Sequence, residues 1–185
     1  MTGYYFGTFD PIHIGHLNVI NSILMSGYID KLEIIPAYQN PHKCKPMFSF
    51  DDRVEMIDLA TEIFDNVVIN TIEEEINEPY TYNILQELEK GYIITTYETY
   101  IDIKNWYKGN HILKDWEFII MYDTSVDLID PELMFAENIF KYVQMVPIPF
   151  HSTYIRKRIQ EKENIYPLVP IEVKNYIYEK FPYNY

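Results

Sequence analysis

The segment Gly7-Thr8-Phe9-Asp10-Pro11-Ile12-His13-Ile14-Gly15-His16 lies between a short apolar run, Tyr4–Phe6, and an amphipathic stretch, Gly15–Ser26. The run reads as a strand and the stretch as a helix. In an open α/β sheet, such a strand-to-helix turn is where ligands sit, at the carboxyl ends of the strands. Gly7 would let a backbone approach a phosphate closely, and Pro11 keeps the turn from becoming helix too early. Gly15 and His16 then open a helix whose unpaired N–H groups and positive dipole end favour an anion. The imidazoles of His13 and His16 would add hydrogen-bond donors for a phosphate. As a bare pair, His13-x-x-His16 also reads as an exposed turn, or as half of a zinc site that recruits His42 and Cys44.

Outward from this turn, apolar runs alternate with amphipathic stretches, the pattern of βαβα units and a mostly parallel sheet. Strands are expected at Tyr4–Phe6, Leu32–Pro36, Asn66–Thr71, Tyr92–Thr96, Glu117–Met121 and Tyr142–Val146. Helices are expected at Gly15–Ser26, Phe50–Ile63, Tyr82–Lys90, Thr153–Lys162 and Ile171–Lys180. The second helix has Ser49 as a cap and Asp51 and Asp52 in its first turn, with Val54, Ile57, Leu59 and Ile63 mostly along one side. The stretch from Pro36 to Pro46 is the longest irregular one and carries Asn40, His42 and Lys43, so it enters the search for a site. No repeat or Gly/Ser linker interrupts the chain. Residues 1–185 read as one domain, with a helical part, 150–185, completing the site.

The 185 residues suffice for a sizeable core, and 48% hydrophobic content with 16% aromatics excludes a disordered chain. Most of the 18 tyrosines are expected to pack at core edges with their hydroxyls wet. No run is long enough for a membrane span and no signal peptide is visible; Cys44 is the sole cysteine. A cytoplasmic protein is expected. The net charge of −13 argues against binding nucleic acid or an anionic membrane. A polyanionic substrate would need cations gathered locally.

The opening segment matches the G-x-F-x-P-x-H-x-G-H signature of nucleotidyltransferases with a Rossmann-like fold. Further segments resemble one family, the nicotinate-nucleotide adenylyltransferases, in order along nearly the whole chain. Pro36-Ala37-Tyr38-Gln39-Asn40-Pro41-His42-Lys43 is similar to its loop after the second strand. Arg53-Val54-Glu55-Met56 is similar to its next helix, and Pro79-Tyr80-Thr81-Tyr82 to its Ser-Tyr-Thr segment. Trp106-Tyr107 falls where the family stacks an aromatic on the pyridine ring. Ser152-Thr153-x-Ile155-Arg156 resembles its second nucleotide-binding element.

The resemblance implies a mostly parallel Rossmann-like sheet with helices on both faces. It also implies an enzyme that joins AMP from ATP to nicotinate mononucleotide, with Mg²⁺ accompanying ATP and no dedicated protein metal ligands. His13, His16, Lys43 and Arg156 would carry catalysis, and Gly7, Thr8, Phe9, Gly15, Glu98, Ser152 and Thr153 would line the nucleotide. Tyr80, Thr81, Trp106 and Tyr107 would hold the pyridine nucleotide. Each residue also has a plainer reading: Lys43 as a solvated loop lysine, Trp106 as core, Ser152-Thr153 as a helix cap. Thr96-Tyr97-Glu98 stands where the family has Gly-x-Asp, so Tyr97 is expected to crowd or stack on the nucleotide and Glu98 to take the acidic role. Tyr122-Asp123 stands where the family commonly has a basic residue. The alternatives are a sister transferase using nicotinamide mononucleotide, phosphopantetheine or glycerol phosphate, a catalytically weak nucleotide-binding protein, and a zinc-binding module. Oligomeric state, homo-oligomers included, is open.

Overall fold

Tyr4 and Tyr5, Ile34 and Ile35, Ile93 and Ile94, and Ile119 and Ile120 are all buried, and each pair divides between two separate apolar clusters. A period of two with both sides buried is that of a parallel sheet covered on both faces. The computed structural model describes residues 1–38, 45–123 and 137–182 and contains such a sheet. Its strands are β1 (Thr2–Gly7), β2 (Lys31–Pro36), β3 (Val67–Ile69), β4 (Tyr92–Thr96), β5 (Glu117–Asp123) and β6 (Ile139–Met145). Neighbours pair in parallel in the order β3-β2-β1-β4-β5-β6. The order reverses between β1 and β4, and nucleotides bind α/β sheets at such a switch point. The fold is the Rossmann-like one expected.

The helices are α1 (Ile14–Ser26), α2 (Phe50–Thr61), α3 (Ile72–Glu75), α4 (Thr81–Glu87), α5 (Tyr97–Asp102), α6 (Gly109–Asp115), α7 (Ser152–Gln160) and α8 (Ile171–Lys180). Ile20, Ile57, Ile155 and Ile177 bring α1, α2, α7 and α8 to one face, while Leu85, Tyr100 and Ile112 bring α4, α5 and α6 to the other. The C-terminal segment packs into the first face: Ile155, Ile159, Ile165, Val169, Val173 and Ile177 are at most 1% exposed. The Ile14 N–H donates to the Leu168 carbonyl at 3.1 Å, tying the start of α1 to the α7–α8 connection. None of the described helices is long and apolar enough to cross a membrane.

Several expectations shift. β3 is shorter than 66–71, because the Asn70 side chain accepts the Ile72 N–H at 3.0 Å and turns the chain into α3. Ser49 caps α2 with Asp52 as its reciprocal partner, as the sequence suggests. The buried side of α2, however, is Arg53, Met56, Ile57 and Ala60, and Ile63 lies past its end, 82% exposed. Hydrophobic spacing mislocated this face because an arginine occupies part of it. Several tyrosine hydroxyls are paired at core edges, Tyr4 donating to the Glu89 carbonyl and Tyr176 to Asp52 of α2.

Candidate active site

The first helix start is a capping box built from imidazoles. The Gly15 N–H donates to His13 Nδ1 at 3.0 Å, and the His13 N–H donates to His16 Nδ1 at 3.2 Å. With both Nδ1 atoms accepting, each neutral ring carries its proton on Nε2. The rings lie with centroids 3.8 Å apart at 33°. Burial, and secondarily the nearby His151, lower the His13 pKa to about 4, so that ring is neutral at pH 7 and still has an N–H to donate. A Cβ on Gly15 would sit 2.7 Å from the His13 ring, so only glycine admits this box.

Gly7 also has a packing role. A Cβ there would meet the Phe9 ring at 2.7 Å, so the glycine makes room for Phe9 before it makes room for any ligand. Phe9 is 1% exposed with φ 50°, a left-handed conformation uncommon outside glycine. Its ring packs edge-on against Tyr5 and His16, at 5.4 and 4.9 Å, and so fixes the back of the histidine pair.

The second helix start meets the first across 140 residues of sequence. Ser152 Oγ donates to the Pro11 carbonyl at 3.1 Å, and Arg156 Nη1 donates to the Asp10 carbonyl at 2.7 Å. Arg156 Nη2 donates to Thr153 Oγ1 at 3.0 Å, placing the two on one face of α7. The N-cap position is His151, and Ser152 is already helical, so the expectation that Ser152-Thr153 caps the helix is corrected by one residue. Lys157 and Arg158 pair instead with Glu161 and Glu163. Asp10, which the sequence reading did not single out, accepts from the Met47 and Phe48 N–H groups at 2.9 and 3.0 Å. Lys43, His42, Asn40 and Cys44 lie outside the described residues.

Two more buried charged groups escaped sequence reasoning. Arg53, 1% exposed, donates from Nη1 to the Thr8 carbonyl at 2.7 Å and places its guanidinium 5.4 Å from the Phe50 ring centroid. Glu73, 3% exposed, accepts the Tyr38 N–H at 2.9 Å. Burial pushes the Glu73 pKa up from 4.5 to about 8, against the opposing pull of the Tyr38 N–H and the Arg53 charge. Between those values the folded protein binds a proton that the unfolded chain has released, so this group makes stability fall as pH rises. Glu73→Gln keeps the acceptor and removes the titration. Its urea midpoint should gain on that of the parent protein from about pH 5 to above pH 8. A difference independent of pH would show that Glu73 ionises normally.

At the end of β4, Thr96 Oγ1 accepts the Thr99 N–H and caps α5. Tyr97, expected to crowd a nucleotide, instead packs against the second core cluster with Tyr100 and Tyr142. Glu98 is exposed in the first turn of α5. A narrow cavity next to the β4 end is lined by Thr81, Thr95, Thr99 and Trp106 together with Phe6 and isoleucines of β4 and the following helices. Trp106 is anchored by Nε1–H donation to Asp102 at 3.1 Å, and Tyr107 lies against Tyr80 with centroids 4.6 Å apart. Tyr80, Thr81, Trp106 and Tyr107 are thus brought together. A larger cavity, about 520 Å³, opens around Asp115, Trp116 and Glu117 at the amino end of β5, away from the strand ends that carry the histidines.

A family model described as cytidylyltransferase-like matches residues 4–158. With two helix starts meeting at the β1–β4 switch point, the fold and the match define a nucleotidyltransferase. The "Probable nicotinate-nucleotide adenylyltransferase" of Coprothermobacter proteolyticus is 31% identical, covering 98% of this chain and 94% of its own length. A protein of the same name from Hydrogenobaculum sp. is 32% identical, covering 94% of this chain and 93% of its own. The chain belongs to the nicotinate-nucleotide adenylyltransferase family. In fold it is similar to the Plasmodium falciparum nicotinic acid mononucleotide adenylyltransferase solved with NaAD, with TM-score 0.78 and 20% identity over 99% of this chain and 97% of that one.

Proposed function

We propose that this enzyme transfers AMP from ATP to nicotinate mononucleotide, giving nicotinate adenine dinucleotide and pyrophosphate in NAD biosynthesis. A mononucleotide 5′-phosphate oxygen attacks the α-phosphate of ATP in line. The bond to the β-phosphate oxygen breaks as the new P–O bond forms. No side-chain nucleophile is required, so alignment and charge stabilisation supply the catalysis. The observation that carries this reading is the meeting of the His13–His16 turn with the Ser152–Arg156 helix start, through Ser152 on Pro11 and Arg156 on Asp10.

His16 serves the α-phosphate and His13 its neighbour, both through Nε2–H. Arg156 and the Thr153 end of α7 hold the outer phosphates, and Lys43 neutralises charge from the loop after β2. The backbone of Gly7, Thr8 and Phe9, the start of α1 at Gly15, and Ser152 line the nucleotide, with Glu98 as a partner for a ribose hydroxyl. Tyr80, Thr81, Trp106 and Tyr107 receive the pyridine nucleotide. Among the described residues no three His, Cys, Asp or Glu side chains converge on a metal position. Mg²⁺ accompanies ATP in this reading, bound mostly by phosphates and water. The whole chain acts as one domain, in the cytoplasm.

The test is incubation with MgATP and, separately, nicotinate mononucleotide, nicotinamide mononucleotide and phosphopantetheine, with pyrophosphate and adenylylated product measured. Nicotinate mononucleotide should give the highest kcat/KM. Preference for another acceptor would move the chain to a sister activity, and no product with any would overturn the reading.

A further inference from the structure

Asp10 presents a physical puzzle. It is a carboxylate, 3% exposed, placed at a site that would receive a triphosphate. Its charge is compensated from several directions. The Met47 and Phe48 N–H groups reach its two carboxylate oxygens at 2.9 and 3.0 Å, and Arg156 Nη1 lies 3.5 Å from Oδ2. The buried Arg53 guanidinium also feels its charge. The same Arg156 nitrogen donates to the Asp10 carbonyl at 2.7 Å, so one residue grips the guanidinium through main chain and side chain together.

Geometry on the other side completes the hold. Arg156 Nη2 is on Thr153 Oγ1 at 3.0 Å, while the side chain keeps 28% of its surface exposed. An arginine left to itself loses rotamer freedom when it is ordered on a ligand. Here the ordering precedes the ligand. In a chain of net charge −13, an untethered guanidinium would also find competing surface carboxylates. A buried anion beside the histidine turn keeps it local, and the same anion fastens the returning end of the β2–α2 connection at Met47–Phe48.

We propose that Asp10 is a positioning residue for adenylyl transfer: it holds Arg156 in its phosphate-facing pose and locks the β2–α2 connection to the same anchor. This rests on the reading that Arg156 meets the outer phosphates of ATP. Asp10 holds Arg156 from one side and Thr153 holds it from the other, so loss of the Asp10 carboxylate should weaken what Arg156 does and nothing else in the acceptor pocket.

A double-mutant cycle on the full-length enzyme tests it. Arg156→Met should lower kcat by roughly 100-fold, the scale of losing one oriented transition-state donor, and Asp10→Asn by roughly 30-fold, less because the donor remains but is held less well. The double variant should fall no more than about 3-fold below Arg156→Met alone, because coupled residues are not additive. KM for the mononucleotide should stay within about 3-fold in each, and inhibition by inorganic pyrophosphate should weaken in both single variants. Asp10→Ser serves in the same cycle if Asp10→Asn folds poorly. Additive losses, or more than half of parental turnover in Asp10→Asn, overturn the inference. Failure of both Asp10 variants to fold also overturns it, since the carboxylate would then be structural. If Arg156→Met itself keeps full turnover, the assignment of Arg156 fails instead, whereas a damaged Arg156→Met beside an intact Asp10→Asn sinks this inference alone.

Discussion

His16→Ala is expected to lower turnover by roughly 10²-fold or more, the scale found when one preorganised donor to a transition state is removed. The fold should survive. His16 is only partly buried, and beside its ring contacts with Phe9 and His13 it supplies one half of a capping box, worth about 1 kcal/mol. The substitution therefore separates chemistry from stability. Its thermal midpoint should fall by a few degrees while kcat collapses, with KM for the mononucleotide little changed. A variant retaining more than about half of the parental rate would remove His16 from the reaction. The His13 ring makes a weaker probe. It is 5% exposed and packs against Phe150 as well as His16, so its removal disturbs the core and the site together.

Arg53→Met should be the most destabilising single change at the site, by about 2–4 kcal/mol in urea unfolding. Methionine fills a similar volume, but it leaves the Thr8 carbonyl without its 2.7 Å donor and withdraws a cation from the neighbourhood of Asp10. One effect opposes this. Arg53 Nε has no hydrogen-bond partner among the described residues, so the native guanidinium is itself imperfectly satisfied. Relief of that penalty sets the lower end of the range. Arg53→Lys, which retains charge without the fork, should fall between the two. An unchanged urea midpoint for Arg53→Met would mean that desolvation of the guanidinium cancels its bonds entirely.

The sequence reading succeeded where the determining contacts are local. The helix start at Gly15-His16 and the Ser49 cap each rest on four residues, 13–16 and 49–52, closed by atoms within one helical turn. The alternation of buried strands with helices likewise depends on short-range periodicity, so the mostly parallel class followed from it, while the order β3-β2-β1-β4-β5-β6 came only from the structure. The sequence left the side of Tyr97 open; this residue starts α5 directly after β4, and packing with Tyr100 and Tyr142 places it against the second core cluster. The reading failed at the face of α2 because arginine in an amphipathic pattern reads as solvent-facing, whereas a carbonyl 45 residues away draws it inside.

The sequence by itself determined the class of fold, the strand-to-helix turn with its two histidines and the family, since these reside in residue types at fixed short spacings. Only the tertiary structure decided that Asp10, within that turn, grips Arg156 at a separation of 146 residues, and that Arg53 is buried near Asp10 and Glu73 near Arg53. The physical reason is that burial and ion pairing depend on which surfaces the sheet brings together. A one-dimensional pattern records a charge but not the partner that makes its burial tolerable.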